Sequence, residues 1–374
     1  MRTSYKRDDV EILLKDITGL VQPQSASERE KLIQSGRHYC EMLPIEYVPS
    51  AKYMEVYQEA LKKYAVSVAD AVGRLADRIM QAKGEQVVLI SLARAGIPIG
   101  ILLKRYLAWK YKIEVGHYAI SIIRDRGIDR NAMAYLLQRY EASHLQFVDG
   151  WIGKGAILKE LKKELEQFPG VSTELAVVAD PAKVTSLYGT QEDILIPSSC
   201  LNSTISGLIS RTFLREDIIG KDDFHGAIYY EELAEQDLSY AFIHAIEEKF
   251  SEESFSRANI SDTKITEEIL ASSSAVPKSG GNSVSDRGQG IDEVRQIAAK
   301  YRIENINLIK PGIGETTRVL LRRVPWKILI DSRYRDSQEL AHILRLAEEK
   351  QVLVEDYPLK NYRACGIIKK IADE

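Results

Sequence analysis

The feature that most constrains this chain is a regular alternation of short apolar runs and amphipathic stretches between residues 86 and 197. The pattern predicts strands at 86–92, 114–123, 145–149, 175–180 and 194–197. Between them it predicts a helix that Pro98 opens, then helices at 129–140 and 155–168. Strands that alternate with helices are typical of an α/β fold with a mostly parallel sheet covered on both faces.

The segment before this alternation predicts one long helix. Apolar residues recur at steps of three and four from Met54 to Ile79, and Gly84 follows as a stop signal.

The length of 374 residues favours two domains. We predict a larger domain at 1–250 and a flexible linker at 251–290, where serine and glycine replace large apolar residues. The helix and strand rhythm resumes at 291–374, which predicts a second, smaller α/β domain.

Composition excludes several classes of protein. Hydrophobic residues make up 45% of the chain, and no apolar run is long enough for a membrane span or a secretory signal. Three widely spaced cysteines do not form a disulfide framework. We therefore expect a cytoplasmic protein without a membrane partner, and the net charge of −3 confines any nucleic-acid binding to a local basic patch.

A glycine-rich loop follows the predicted strand at 145–149. It runs from Asp149 and Gly150 to Gly153, Lys154 and Gly155, where the next helix opens. Backbone N–H groups and the positive end of a helix bind anions, and glycine lets the backbone come close to a phosphate. The alternative is an ordinary strand-to-helix turn with solvated charges.

Two other predicted strand ends carry charged residues. Arg94 stands in a turn that Gly96 closes, and a guanidinium is suited to diphosphate oxygens. Asp180 ends another predicted strand. Because ligands of parallel sheets bind beyond the carboxyl ends of strands, these residues and Asp149 predict one site.

The loop resembles the phosphate-binding loop of type I phosphoribosyltransferases. Asp149 matches the first acid of that pattern, residues 153–156 match its small-residue turn, and residues 94–96 resemble the diphosphate loop. Gly150 stands where the family has a second acid, and Lys154 replaces a threonine.

A longer resemblance is to a bacterial phosphoribosyltransferase-like family encoded near tellurite-resistance stress genes, also labelled cysteine protease StiP. It rests on the strings at 34–44, 117–118, 122–124, 147–151 and 199–204 and covers nearly the whole chain. The resemblance implies a sheet of the type I phosphoribosyltransferase kind in the first domain.

The transferase resemblance implies a role for each candidate residue. Arg94 and Lys154 would hold the diphosphate, the amides of residues 153–155 the 5′-phosphate, Asp149 the ribose hydroxyls, and Asp180 the acceptor. Mg²⁺ would bridge the diphosphate oxygens. The leading hypothesis is a phosphoribosyl-type transferase, or a protein that binds phosphoribosyl diphosphate or another phosphorylated sugar or nucleotide.

A cysteine protease that uses Cys200 is the first alternative. We predict that Cys200 lies near a helix start whose dipole would lower the thiol pKa, with His38, His117 or His225 as the base. The opposing interpretation is a small buried hydrophobic residue. The polar residues that follow would line the ligand pocket: Asn202, Ser203 and Thr204.

The second predicted domain resembles the Pelota and L7Ae-like RNA-binding domains. Gly312, Gly314, Glu315 and Arg318 match their glycine turn, with Gly314 where those domains often have asparagine. The resemblance implies structured RNA as a partner. A non-catalytic RNA-binding stress protein is therefore a further alternative.

Overall fold

The computed structural model describes residues 1–250 and 289–369. In the first part, a six-stranded sheet has every neighbouring pair of strands parallel. The strands of this part are β1 (Glu11–Ile12), β2 (Lys15–Asp16), β3 (Val88–Leu92), β4 (His117–Ile120), β5 (Ile122–Ile123), β6 (Gly127–Ile128), β7 (Leu145–Trp151), β8 (Leu175–Ala179), β9 (Tyr188–Thr190) and β10 (Gly226–Ala227). Their order in the sheet is β1-β4-β3-β7-β8-β9, which confirms the predicted parallel architecture.

Helices cover both faces of this sheet. The helices of this part are α1 (Ala26–Gln34), α2 (Ala51–Lys83), α3 (Gly96–Tyr111), α4 (Arg130–Leu137), α5 (Ala156–Leu165) and α6 (Ser239–Glu247), and all except α1 contribute to the cores on its two faces. Side chains alternate along each strand, so Leu89 packs with α2 and α3 while Ile90 packs with α4 and α5. The predicted long helix is α2, and Gly84 ends it with a φ of 70°.

Residues 289–369 form a smaller α/β unit. Its sheet has the order β11-β14-β12-β13 and mixes parallel and antiparallel pairs. Its elements are α7 (Gln289–Lys300), β11 (Ile309–Pro311), α8 (Ile313–Arg322), β12 (Pro325–Ile330), α9 (Ala341–Glu349), β13 (Leu353–Asp356) and β14 (Ala364–Ile368). The predicted linker lies outside the described residues except for its last two, which begin α7.

Two strand predictions are wrong. The run at 194–197 is not a strand, and β9 takes the edge of the sheet instead. Gly189 in β9 approaches the backbone of α2 so closely that an added Cβ would lie 2.2 Å from the Ala71 carbonyl oxygen. The predicted strand at 114–123 is divided, because residues 122–123 pair with β6 in a separate antiparallel hairpin.

The two parts of the chain share one apolar core. The largest cluster of buried apolar side chains contains Val72 and Leu195 together with Ile313 and Leu320 of α8. Ion pairs continue this interface at the surface, where both guanidinium Nη atoms of Arg345 lie 3.0 Å from the Glu59 carboxylate oxygens. The relative position of α8 and the larger sheet is therefore set by core packing.

Candidate functional site

The glycine-rich loop joins β7 to α5 as the sequence predicts. Gly155 is the N-cap of α5 with a φ of 79°, in the left-handed region that favours glycine. No side chain caps this end of the helix. The first N–H groups of any helix lack partners within it and carry partial positive charge, so this end of α5 is suited to an anion.

A large cleft opens between this loop and the C-terminal unit. Its volume is about 1410 Å³, and its lining includes residues 151–158 of the loop and α5. Four acidic residues, among them Asp149 and Glu315, line it. They are outnumbered by ten basic residues: Arg29, Arg37, Arg124, Lys154, Arg211, Arg302, Lys310, Arg318, Arg323 and Lys369. The cleft therefore favours an anionic ligand, although the chain as a whole is weakly acidic.

Lys154 is held at the floor of this cleft. Its Nζ donates to the carbonyl oxygens of Ile306 (2.9 Å) and Ile309 (3.1 Å) in the C-terminal unit. Burial, together with the nearby charge of Lys310, lowers the pKa of Lys154 to about 8. An anion beside this ammonium would replace part of the lost solvation.

Asp149 lies in β7, one residue before Gly150. Its Oδ1 accepts a hydrogen bond of 2.7 Å from the Gly150 amide, while burial raises the pKa of the carboxyl to about 7. The group can therefore accept or donate a proton near neutral pH.

The glycine turn of the C-terminal unit forms the opposite wall. Gly312 caps α8 with a φ of 96°, and Arg318 pairs with Glu315 at 2.9 Å. The Arg318 guanidinium also lies 5.9 Å from the centre of the Trp151 ring. The four residues predicted to bind RNA thus belong to a segment that faces the larger domain.

Asp193 fixes this wall in place, and sequence reasoning missed it. Its carboxylate accepts from the amides of Ile313 (2.9 Å) and Arg363 (2.8 Å), both in the C-terminal unit. Burial raises the pKa of Asp193 to about 6. No local pattern identifies this residue, since its partners are 120 and 170 positions away.

Arg94 does not line the large cleft, although the neighbouring Ala95 does. Its guanidinium donates to Glu46 (3.1 Å), to the carbonyl of Ile209 (3.3 Å) and to Asn202 (3.4 Å). Arg322 of α8 reaches the same Asn202 oxygen. Arg94, which was predicted to bind diphosphate, is therefore paired within the protein. Its carboxylate partner, Glu46, belongs to no motif that the sequence shows.

Three further candidates point inward. Asp180 accepts from the amides of Val184 (2.7 Å) and Thr185 (2.9 Å), and burial raises its pKa to about 6. Ser203 and Thr204 are buried, and within the described residues their hydroxyl groups have no hydrogen-bond partner. The structure places these three apart from the lining of the large cleft.

His38 lines the cleft and contacts a cysteine that the sequence analysis did not select. Its Nδ1 lies 2.9 Å from the Sγ of Cys40, in a turn that begins at His38. Burial raises the pKa of the Cys40 thiol to about 11 and lowers that of His38. Both groups are therefore neutral near pH 7 in this conformation.

Cys200 has a different environment from the predicted one. It ends a short 3₁₀ turn at Pro197–Cys200 and no α-helix begins there, so the prediction of a lowered thiol pKa is wrong. Complete burial raises that pKa to about 12. In the described ranges Cys200 has no histidine at hydrogen-bonding distance, because His117 binds Ser91 and His225 binds Ser121.

Comparison with known proteins identifies the family. Residues 3–247 match the family described as tellurite-like stress resistance cysteine protease StiP. A protein named "Cysteine protease StiP" from Acinetobacter baylyi is 35% identical over 382 residues, which cover 98% of this chain and 94% of that protein. The chain belongs to the StiP family.

The C-terminal unit has its own match, to the PELOTA RNA binding domain at residues 288–370. The resemblances to the StiP family and to the Pelota RNA-binding domain are thus confirmed. Across the described ranges, no helix is long and apolar enough to cross a membrane.

Two solved structures show weak similarity. A hypoxanthine-guanine phosphoribosyltransferase from Leishmania tarentolae in complex with GMP gives a TM-score of 0.24 at 12% identity, covering 32% of this chain and 68% of that one. A hypothetical protein from Neisseria gonorrhoeae with bound ppGpp gives 0.20 at 15% identity, covering 30% and 65%. Scores this low support no argument about ligand or activity.

Proposed function

We propose that this StiP-family chain is an enzyme whose cleft binds a phosphorylated ribose ligand, such as phosphoribosyl diphosphate, in a stress-response setting. The observation that carries the proposal is the charge of the cleft lining, which has ten basic and four acidic residues and includes the start of α5. A diphosphate ester is the kind of ligand that such a concentration of positive charge favours.

Different residues of the cleft would bind different groups of the ligand. The N–H groups at the start of α5 would bind the 5′-phosphate, and Lys154 with Lys310 would offset charge on the diphosphate. Asp149 would bind the ribose hydroxyls, as the resemblance implies. A transferase of this kind needs no covalent intermediate, so positioning and charge stabilisation supply the catalysis.

Mg²⁺ fits this arrangement as a companion of the ligand. The cation prefers oxygen donors, and the carboxylates of Asp149 and Asp125 line the cleft. Within residues 1–250 and 289–369 there is no cluster of three or more potential metal ligands. The ion would therefore be held largely by phosphate oxygens and would supply charge neutralisation on the diphosphate.

Calorimetric titration with phosphoribosyl diphosphate and Mg²⁺ tests the proposal. We expect the wild type to bind, Asp149→Asn to bind more weakly, and the surface control Asp8→Asn to match the wild type. Absence of binding by the wild type would contradict the proposal. Equal affinity of wild type and Asp149→Asn would remove Asp149 from the site. Release of diphosphate on addition of an acceptor separates a transferase from a binding protein.

A cysteine peptidase is the second candidate, and two observations favour it. The family description names that activity, and the 2.9 Å contact joins His38 to Cys40 at the cleft. His38 would take the thiol proton, and the thiolate would attack a peptide carbonyl. Cys40 is fully buried, so a substrate would have to displace the residues that cover it.

Serine substitutions distinguish the possible nucleophiles. Peptide cleavage that is lost in Cys40→Ser and kept in Cys200→Ser and Cys365→Ser would assign the activity to the Cys40 and His38 pair. Loss only in Cys200→Ser would support the cysteine predicted from the sequence. Cleavage that survives all three substitutions would exclude a cysteine peptidase.

A further inference from the structure

The glycine turn of the C-terminal unit faces the glycine-rich loop of the larger domain. An added Cβ at Gly153 would lie 3.9 Å from the Cγ of Glu315, and one at Gly314 would lie 3.3 Å from the Oγ of Ser199. The two turns therefore approach each other closely. Glu315 and Arg318 line the same cleft as Lys154, so an RNA that contacts these two residues would occupy that cleft.

The cleft is larger than one small ligand requires. Pockets for single small molecules usually measure roughly 300 to 1,000 Å³. The volume here is about 1410 Å³. Space therefore remains for a second occupant beside a ligand bound at the start of α5.

One part of the cleft lining, the aromatic mouth, combines a half-buried tyrosine with exposed tryptophan and arginine side chains. It consists of Tyr301, Arg302, Arg323 and Trp326. The rings of Tyr301 and Trp326 are perpendicular with centres 6.0 Å apart, and Trp326 is 43% exposed. Within the described residues, the guanidinium groups of Arg302 and Arg323 have no hydrogen-bond or ion-pair partner.

This combination identifies the chemistry of the second occupant. Aromatic faces that stack on bases, next to cations that contact phosphates, are typical of sites for single-stranded nucleic acid. Because the aromatic mouth is part of the lining of a cleft, it is suited to the unpaired end of a strand. A duplex would present its bases only inside the helix.

We infer that the unpaired end of an RNA strand enters by the aromatic mouth and is the acceptor for the ligand held at the glycine-rich loop. The inference rests on the proposed function for the identity of that first ligand. In the transfer, the bond between the ribose C1 carbon and the diphosphate oxygen breaks, and the diphosphate leaves with the electron pair. A hydroxyl oxygen or ring nitrogen of the RNA end bonds to that carbon, and its proton passes to the Asp149 carboxylate.

Fluorescence anisotropy of the full chain with a short labelled oligouridylate tests the entry path. We expect the single strand to bind more tightly than a duplex of equal length. Trp326→Ala should weaken binding roughly tenfold, within the range for one lost base stack. Arg323→Ala should reduce the slope of log affinity against log salt by about 0.7. The exposed control variants Tyr47→Ala and Arg7→Ala should bind as the wild type does.

A second measurement separates this inference from the proposed function. Phosphoribosyl diphosphate labelled in the ribose should transfer label to the oligonucleotide. At subsaturating oligonucleotide, Trp326→Ala should lower this transfer roughly tenfold while keeping calorimetric binding of the phosphoribosyl ligand. Two results would overturn the inference and leave the proposed function intact. They are binding of the phosphoribosyl ligand without RNA binding, and RNA binding that Trp326→Ala leaves unchanged. RNA binding without binding of the phosphoribosyl ligand would refute the proposed function and, with it, the acceptor role. Binding of both without transfer would also refute that role.

Discussion

Two turns at neighbouring strand ends, after β3 and β7, differ in what their charged residues already contact. Arg94 after β3 is bound to Glu46 and Asn202, and its side chain is only 17% exposed. The loop after β7 opens on a cleft with a large excess of positive charge. A strand end in a parallel sheet thus determines where a residue lies, whereas the partners of that residue determine whether it is available to a ligand.

The largest expected effect is a loss of stability at the turn after β3, where Arg94 is paired with Glu46. Glu46→Ala leaves the Arg94 guanidinium buried without its carboxylate, and breaking such a pair costs roughly 3 to 5 kcal/mol of unfolding free energy. Urea denaturation measures the loss, with the exposed control Glu216→Ala expected within about 0.5 kcal/mol of the wild type. A loss below about 1 kcal/mol would mean that Arg94 is not dependent on Glu46 and is available to a ligand.

At the loop after β7, which opens on the cleft, we expect a change in ligand affinity. Lys154→Ala removes a charged donor beside the start of α5, and hydrogen bonds to charged groups contribute roughly 1.5 to 3 kcal/mol. We expect phosphoribosyl diphosphate to bind about tenfold to a hundredfold more weakly by calorimetry. The matched control is Lys62→Ala, an exposed lysine of α2 away from the cleft. Unchanged affinity in Lys154→Ala would place the ligand elsewhere.

Glycine substitutions compare the two turns directly. In Gly96→Ala the new Cβ would lie 2.6 Å from the Val148 carbonyl oxygen, whereas in Gly150→Ala its nearest neighbours lie at 3.9 Å. We expect the first change to cost roughly 1 to 3 kcal/mol of stability. The second should stay within about 0.5 kcal/mol. Thermal unfolding of both variants measures this, and similar losses would contradict the difference in packing.

The smallest effect is a pH dependence of ligand binding. Burial holds the pKa of Lys154 at about 8, so the free protein loses this positive charge as the pH rises through 8. Affinity should then fall by up to about tenfold per pH unit, following the charged fraction. Lys154→Arg, which stays charged, should lack this fall when titrated from about pH 7 to 9. Parallel curves for both proteins would show that Lys154 does not contact the ligand.

The sequence was sufficient for the four central strands of the sheet, the long helix and the glycine-rich loop, because periodicity and glycine position are local properties. It was insufficient for pairings over long separations. Arg94 was predicted to bind diphosphate, but its partner Glu46 is 48 positions away. Asp193 was missed because its partners lie 120 and 170 positions away. The contact between Cys40 and His38 joins residues only two positions apart, and it was missed because no motif identifies this pair.

The Asp193 hydrogen bonds have a consequence for how this chain evolves. A carboxylate in one domain binds the helix start of the other, next to Gly312, whose φ of 96° already favours glycine. Neither position can change independently, so the two halves of this gene are expected to evolve as a single unit. A recombinant chain that joins halves from distant relatives should lose the cleft even when each half keeps its own fold.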